Sequence, residues 1–419
     1  MSAEAQLPEA GVVQQALHAT TEKLALELAH PGDTTPDWTE FEWRAARAAS
    51  AIHGVSPLLA AKLRWRGPPG WDAFLVEQRG HTEIRHQRIE ALAKLVDERA
   101  RRIGLPIVAL KGAALHAMGV YLRGERPMAD LDFLVREADM PAALRLLEEQ
   151  DFREELAFWK NRVFTPNNTS IAPRTAGHLG EHRDNPIKIE LHWRIREKLP
   201  FELTDITEVS FPTTPHPGLN AYPSLAALLM HLVFHAAGSM ASRDLRLLHL
   251  HDLSLICARM QPEDWQTILK YSPDGNGPWW FLPPLRLASR YYPNNLVPEA
   301  VLTRLEQGCP PWLNRLTARQ TLTDVSLSSV WIRAFPGIEW SQSLLATFKY
   351  LAGRVRPDAE ARTVRKSDAA TASWAADARW QNLPQRSRIL RWMTSRPTRT
   401  ATMYVIQNAL TQPEMGQPN

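Results

Sequence analysis

The segment "RPMADLDFLV", Arg126 to Val135, constrains the fold most, because it sets two aspartates two residues apart inside an apolar run. On a β-strand, residues i and i+2 point to the same face, so Asp130 and Asp132 aim together while Leu131 and Phe133 pack on the other side. Desolvating two like charges side by side is costly unless something positive sits between them. The strand therefore belongs in a sheet with one apolar face and one face that gathers positive charge. A second pair of this kind stands in "KIELHWRI", where Glu190 and His192 share a face and Ile189, Leu191 and Trp193 lie opposite. If these strands are neighbours, three carboxylates converge on one spot. Hard divalent cations want that arrangement, since magnesium takes oxygen ligands and is completed by water and substrate phosphates.

The pattern around these strands predicts an α+β chain. "LPIVALKG" reads as a buried strand, "AALHAMGVYL" as a helix and "DLDFLV" as a second strand. "ADMPAALRLLEEQ" follows as a helix, with Asp139 at the N-cap and Pro141 in the first turn. "AFWKNRVF" and "IKIELHWRI" have strand character and flank a loop rich in Asn, Thr, Pro and Gly. A small mixed sheet over residues 105–200 is expected, with helical regions at 38–104 and 201–353. In the first of these, Ile84, Ile89, Leu92, Leu95 and Val96 recur at helical spacing until Gly104 stops the helix. Pro-rich breaks such as "GPWWFLPP" and "RYYPNNLVP" divide the second, and its Trp279 and Trp280 read as packing between helices. Residues 1–37 read as a flexible start. Residues 354–419 read as a basic, partly disordered tail holding Trp374, Trp380 and Trp392, with "RSRILRWM" as a short amphipathic helix.

Composition narrows the classes. The chain has 419 residues, 44% hydrophobic and 22% charged, which suits a soluble globular protein with a sizeable core. Two cysteines, Cys257 and Cys309, support neither a disulfide framework nor a cysteine metal site. The start "MSAEAQLPEA" lacks the basic and apolar parts of a signal peptide, so a cytoplasmic location is expected. "LAALLMHLVF" reads as a buried helix, too short and interrupted to form a stable membrane span. Between Gly353 and Thr400 there are eleven Lys/Arg against four Asp/Glu, while the whole chain carries only +4. The basicity lives in the tail, which suits an anionic partner. No GxGxxG or Walker-type loop is present, and His231-Leu232 departs from the zinc signature H-E-x-x-H. Arg246 and Asp252 read as an ion pair tying the helical region to the site.

The strings "IVALKGAAL", "YLRGERPMADLDFLV" and "IELHWRI" resemble the uncharacterised nucleotidyltransferase family of the DNA polymerase-β-like superfamily. Weaker similarity extends to "AIHGVSPLLAAKL", "LLMHLVFHAAG" and "DLRLLHLHDLSLI", so it spans roughly residues 40 to 300. The resemblance implies a nucleotidyltransferase core in which Asp130, Asp132 and Glu190 hold Mg2+ or Mn2+ and carry catalysis. It implies that an NTP lies against the turn at Lys111 and Gly112, where the superfamily usually has Gly-Ser, with Arg126 as a further phosphate contact. His192 would face the substrate. Transfer of a nucleoside monophosphate to an acceptor hydroxyl on a small molecule, sugar or peptide is the implied reaction. A nucleotide-sensing or partner-binding module without catalysis, and a kinase on the same scaffold, are the competing readings.

Overall fold

A computed structural model describes residues 8–158, 160–167, 179–199, 202–271, 277–293, 295–357 and 383–411. Trp374, Trp380 and half of the loop between "AFWKNRVF" and "IKIELHWRI", residues 168–178, lie outside them. Four helices come first: α1 (Ala10–Ala29), α2 (Glu40–Ile52), α3 (Ser56–Lys62) and α4 (Pro69–Arg102). The sheet region follows with β1 (Pro106–Ala109), α5 (Lys111–Ala117), β2 (Asp130–Leu134), α6 (Met140–Glu148), β3 (Phe152–Ala157), β4 (Asn161–Pro166) and β5 (Lys188–His192). After these come β6 (Arg196–Leu199), β7 (Glu202–Asp205), α7 (Thr207–Ser210) and β8 (Gly218–Asn220). The helices α8 (Leu225–Ser242), α9 (Leu247–Cys257), α10 (Pro262–Lys270), α11 (Leu282–Tyr291), α12 (Glu299–Gly308) and α13 (Pro311–Thr317) complete the body. The described chain ends with α14 (Leu344–Val355), α15 (Gln385–Thr394) and α16 (Thr400–Thr411).

Six strands form a mixed sheet in the order β3-β4-β5-β2-β1-β8, and β6-β7 make a separate hairpin. The α+β expectation holds. β2 and β5 are parallel neighbours with Asp132 opposite Glu190, while β1 and β4 run antiparallel to them. Alternation along each strand divides the two faces. Ile107, Leu131, Phe133, Ile189 and Leu191 pack with Ile89 and Val96 of α4 and with Ala143, Leu146 and Leu147 of α6. Val108 and Leu134, on the opposite face, join a second core built from the helical body. At roughly 25 cal/mol per Å² of buried apolar surface, both faces favour this register over a one-residue slip. Only part of the helical stripe expected in α4 faces inward: Ile89 and Val96 are buried, whereas Ile84 and Leu95 are exposed. Gly104, with φ 70°, ends that helix in the left-handed conformation that glycine adopts freely.

The flanking helices depart from the expectation in three ways. Residues 10–29, expected to be loose, form α1, whose Val13, Leu17, Leu24 and Leu28 are buried against the body. The helices before the sheet and those after it share one core, in which Leu58 and Trp71 join Leu229 and Phe281. Residues 400–411 are not a loose tail: α16 lies on α2, buries Ile406 and Ala409, and accepts a 2.7 Å bond from Arg44 Nη1 at the Leu410 carbonyl. The expected helix over "RSRILRWM" is present as α15. α8 runs 18 residues, longer than the apolar stretch suggested and by length and composition enough to cross a membrane, and it is the expected buried helix, 72% of it lying inside the protein. Trp279 and Trp280 are buried packing residues. Asp139 does not cap α6 with its side chain; a short 3-10 turn over Glu137–Asp139 leads into the helix instead.

Candidate functional site

The body-facing side of β2 and β5 gathers the polar residues. Asp132 is opposite Glu190 in the parallel register, and His192 follows two residues later on the same side. Ligand atoms of Asp132, Glu190 and His192 all lie within 4.8 Å of one another, the only such group among the described residues. Asp130 falls outside this cluster, one position earlier on the same strand face. His231 belongs to no such cluster either; its Nδ1 pairs with the Tyr222 hydroxyl at 2.6 Å.

Charge balance explains how the acids tolerate burial. Lys111 Nζ donates to Asp132 Oδ1 at 2.8 Å, and His192 Nε2 donates to the same oxygen at 3.0 Å. Burial pushes the Asp132 carboxyl up, but Lys111 and His192 overcome it and hold the group far below the usual carboxylate range. Asp130 behaves in the opposite way. Burial, then the charges of Asp132 and Glu190, raise it to about 7, with Lys111 and Arg246 opposing. Burial alone would lower His192, yet its bonds to Asp132 and Glu190 raise it, favouring the cationic imidazole. Glu190 is positioned from the neighbouring strand, where Asn161 Nδ2 donates to its Oε2 at 3.1 Å.

The turn between β1 and α5 puts Lys111 in place. Lys111 has φ 45°, a left-handed conformation that costs a non-glycine residue about 1–2 kcal/mol. Against that backbone cost, the lysine forms an ion pair with Asp132 at 2.8 Å. Its backbone N–H does not point to free space; it donates to Tyr222 Oη at 3.3 Å. Gly112 is required by close approach: a Cβ there would stand 2.4 Å from Arg126 Nη1 and 2.7 Å from Met128 Sδ.

Arg126, expected as a phosphate contact, pairs within the fold. Its Nε and Nη2 donate to Asp252 of α9 at 2.9 and 2.7 Å, and the Tyr121 hydroxyl donates to the same carboxylate at 2.6 Å. The guanidinium is thus committed within the fold. Asp252 is not the partner of Arg246, as the sequence suggested. Arg246 caps α9 from an exposed position and makes no ion pair among the described residues, although its charge reaches Asp130.

Two supports escaped the sequence reading. Arg85 of α4 is 1% exposed, donates to the carbonyls of Asn185, Met128 and Ala129, and pairs with Glu181 at 3.0 Å. It fixes the entry to both acid-bearing strands. His53 accepts the Leu247 N–H at 3.0 Å on Nδ1 and meets Ser328 Oγ at 2.9 Å, anchoring the start of α9. Burial lowers its pKa to about 3, so it acts there as a neutral acceptor.

A mixed sheet that carries acids on one face of two adjacent parallel strands, flanked by helices, defines a nucleotidyltransferase-type core. The match to known families agrees: the model of a family described as an uncharacterised nucleotidyltransferase covers residues 39–291, and the chain belongs to that family. Neither a curated protein nor a solved structure matches the chain.

Proposed function

We propose that the protein moves a nucleoside monophosphate from an NTP onto an acceptor hydroxyl, with release of pyrophosphate. The observation that carries this reading is the convergence of Asp132, Glu190 and His192 on neighbouring strands in a member of a nucleotidyltransferase family. The carboxylates suit a hard dication, Mg2+ or Mn2+, while His192, held cationic by its bond to Asp132, faces the substrate instead of the metal. Asp132 and Glu190 would hold it, with Asp130 completing the set. Bound there, the ion supplies positive charge against the phosphates and makes the α-phosphorus more electrophilic.

The chain's own residues do the remainder. Lys111 places its ammonium beside Asp132 and offers a point charge to a phosphate oxygen. Arg246, exposed and near enough for its charge to reach Asp130, offers a phosphate contact beside the Asp252-paired Arg126. Asn161 holds one oxygen of Glu190, which leaves the other to accept the acceptor's hydroxyl proton. Incubation with each labelled triphosphate and a divalent metal tests the proposal. Pyrophosphate release is the expected result; nucleoside diphosphate would instead mark a kinase, and no turnover a binding module. Asp130→Ala combined with Asp132→Ala should abolish turnover with the far-ultraviolet spectrum unchanged. Wild-type activity in that variant would overturn the site assignment.

A further inference from the structure

Away from the sheet, α14 and α15 form a satellite of the fold with a small core of their own. Ile389 and Trp392 of α15 pack with Val355 of α14 and with Ile332, Ala334 and Phe335. Arg354 of α14 lies 5.7 Å over the Trp392 ring, and Gln385 Nε2 donates to the Arg354 carbonyl at 3.0 Å. The outer surface is unusual in two independent ways. First, it is apolar: Leu344, Leu345 and Phe348 are 89%, 64% and 69% exposed, and Leu390 and Met393 are 63% and 64% exposed. Leu344 and Phe348 stand one turn apart on one helix face, and no residue of α14 is buried. Second, it is basic. From Trp340 to Pro357 and from Leu383 to Thr411 the chain contains eight Lys/Arg and no Asp or Glu. Lys349, Arg356, Arg386 and Arg396 are exposed among them, and Lys349 and Arg356 follow the apolar strip of α14.

We propose that the α14–α15 face docks on an anionic lipid bilayer, with Leu344, Leu345, Phe348, Leu390 and Met393 entering the interface and the surrounding cations meeting the headgroups. Charge complementarity chooses this occupant. Amphipathic helices that are rich in Lys/Arg and carry exposed Leu and Phe lie in the plane of a membrane surface. A nucleic acid would use the cations but gain little from aliphatic side chains, because bases stack on aromatic planes. A symmetric contact with a second copy would set these cations against one another, since the described residues of the face include no acid. The inference stands apart from the nucleotidyl-transfer reading, since none of these residues touches the site.

The test is sedimentation of the full chain with phosphatidylcholine vesicles, with and without about one-third phosphatidylglycerol. The variant Leu344→Glu, Phe348→Glu, Leu390→Glu changes only exposed positions and keeps the fold and solution turnover. Wild type should co-sediment with the anionic vesicles at least tenfold more than with the neutral ones, and less as salt shortens the screening length. The triple variant should lose that binding, and Leu344→Ser with Phe348→Ser, which adds no charge, should weaken it. Equal sedimentation of wild type and the triple variant would overturn the proposal, as would no binding to either vesicle. So would light scattering that shows a dimer dissolved by the same substitutions, or retention on nucleic acid that the apolar variants leave unchanged.

Discussion

Removal of Asp252 offers the sharpest test of how the site is held. Asp252 accepts two bonds from Arg126 and one from Tyr121, and the Arg126 and Asp252 side chains are 8% and 3% exposed. Asp252→Leu leaves a buried guanidinium without its anion, which costs about 3–5 kcal/mol. The stranded Tyr121 hydroxyl adds part of a further ~1–3 kcal/mol, since effects within one network do not sum. Replacing both ions, with Arg126→Met and Asp252→Leu together, removes the uncompensated charge, so the double variant should recover more than half of the loss. Urea unfolding followed by tryptophan fluorescence reads both numbers. Nucleotide turnover should fall further than stability predicts in Asp252→Leu, because Arg126 packs against Gly112 and supports the Lys111 turn. A single variant within about 1 kcal/mol of wild type, or a double variant as unstable as the two losses added, would refute the reasoning.

Two further outcomes are expected. Asp130 is raised to about 7 when folded, so between its ordinary range and pH 7 the folded state holds a proton that the unfolded chain releases. Stability in chelator-treated buffer should therefore fall as pH rises through that window, by up to about 1.4 kcal/mol per pH unit. Asp130→Asn should flatten the slope, and an unchanged slope would reject the assignment. Arg246→Ala should raise the KM for NTP about tenfold with little change in melting temperature, as expected for loss of a charge-assisted contact of about 1.4 kcal/mol; an unchanged KM would remove Arg246 from the phosphate site.

The two acid-bearing strands were legible because their polar residues repeat with period two inside apolar runs, a pattern with few other meanings. Their adjacency was not legible, since sequence gives no pairing partner for an isolated strand. The Arg246–Asp252 pairing failed for a geometric reason: positions six apart on a helix point to different faces, and only three- or four-residue spacings meet. Asp252 instead finds Arg126 across a long stretch of chain, which no local pattern encodes. α1 was missed because its apolar residues are spread around the helix among Ala, Thr and Gln, leaving no strong stripe to read. α16 was missed because "TATMYVIQNALT" is rich in β-branched residues and poor in helix signals; packing on α2 decides its form.

The seam between α2 and α16 has a bearing on biosynthesis. Arg44 leaves the ribosome 366 residues ahead of the Leu410 carbonyl that it grips, and the covering Ile406 and Ala409 come equally late relative to it. The surface of α2 that α16 covers therefore stays open until that later helix is made. A translation product ending before α16 would leave that apolar surface unsealed and prone to aggregation even though the acid-bearing strands were already complete.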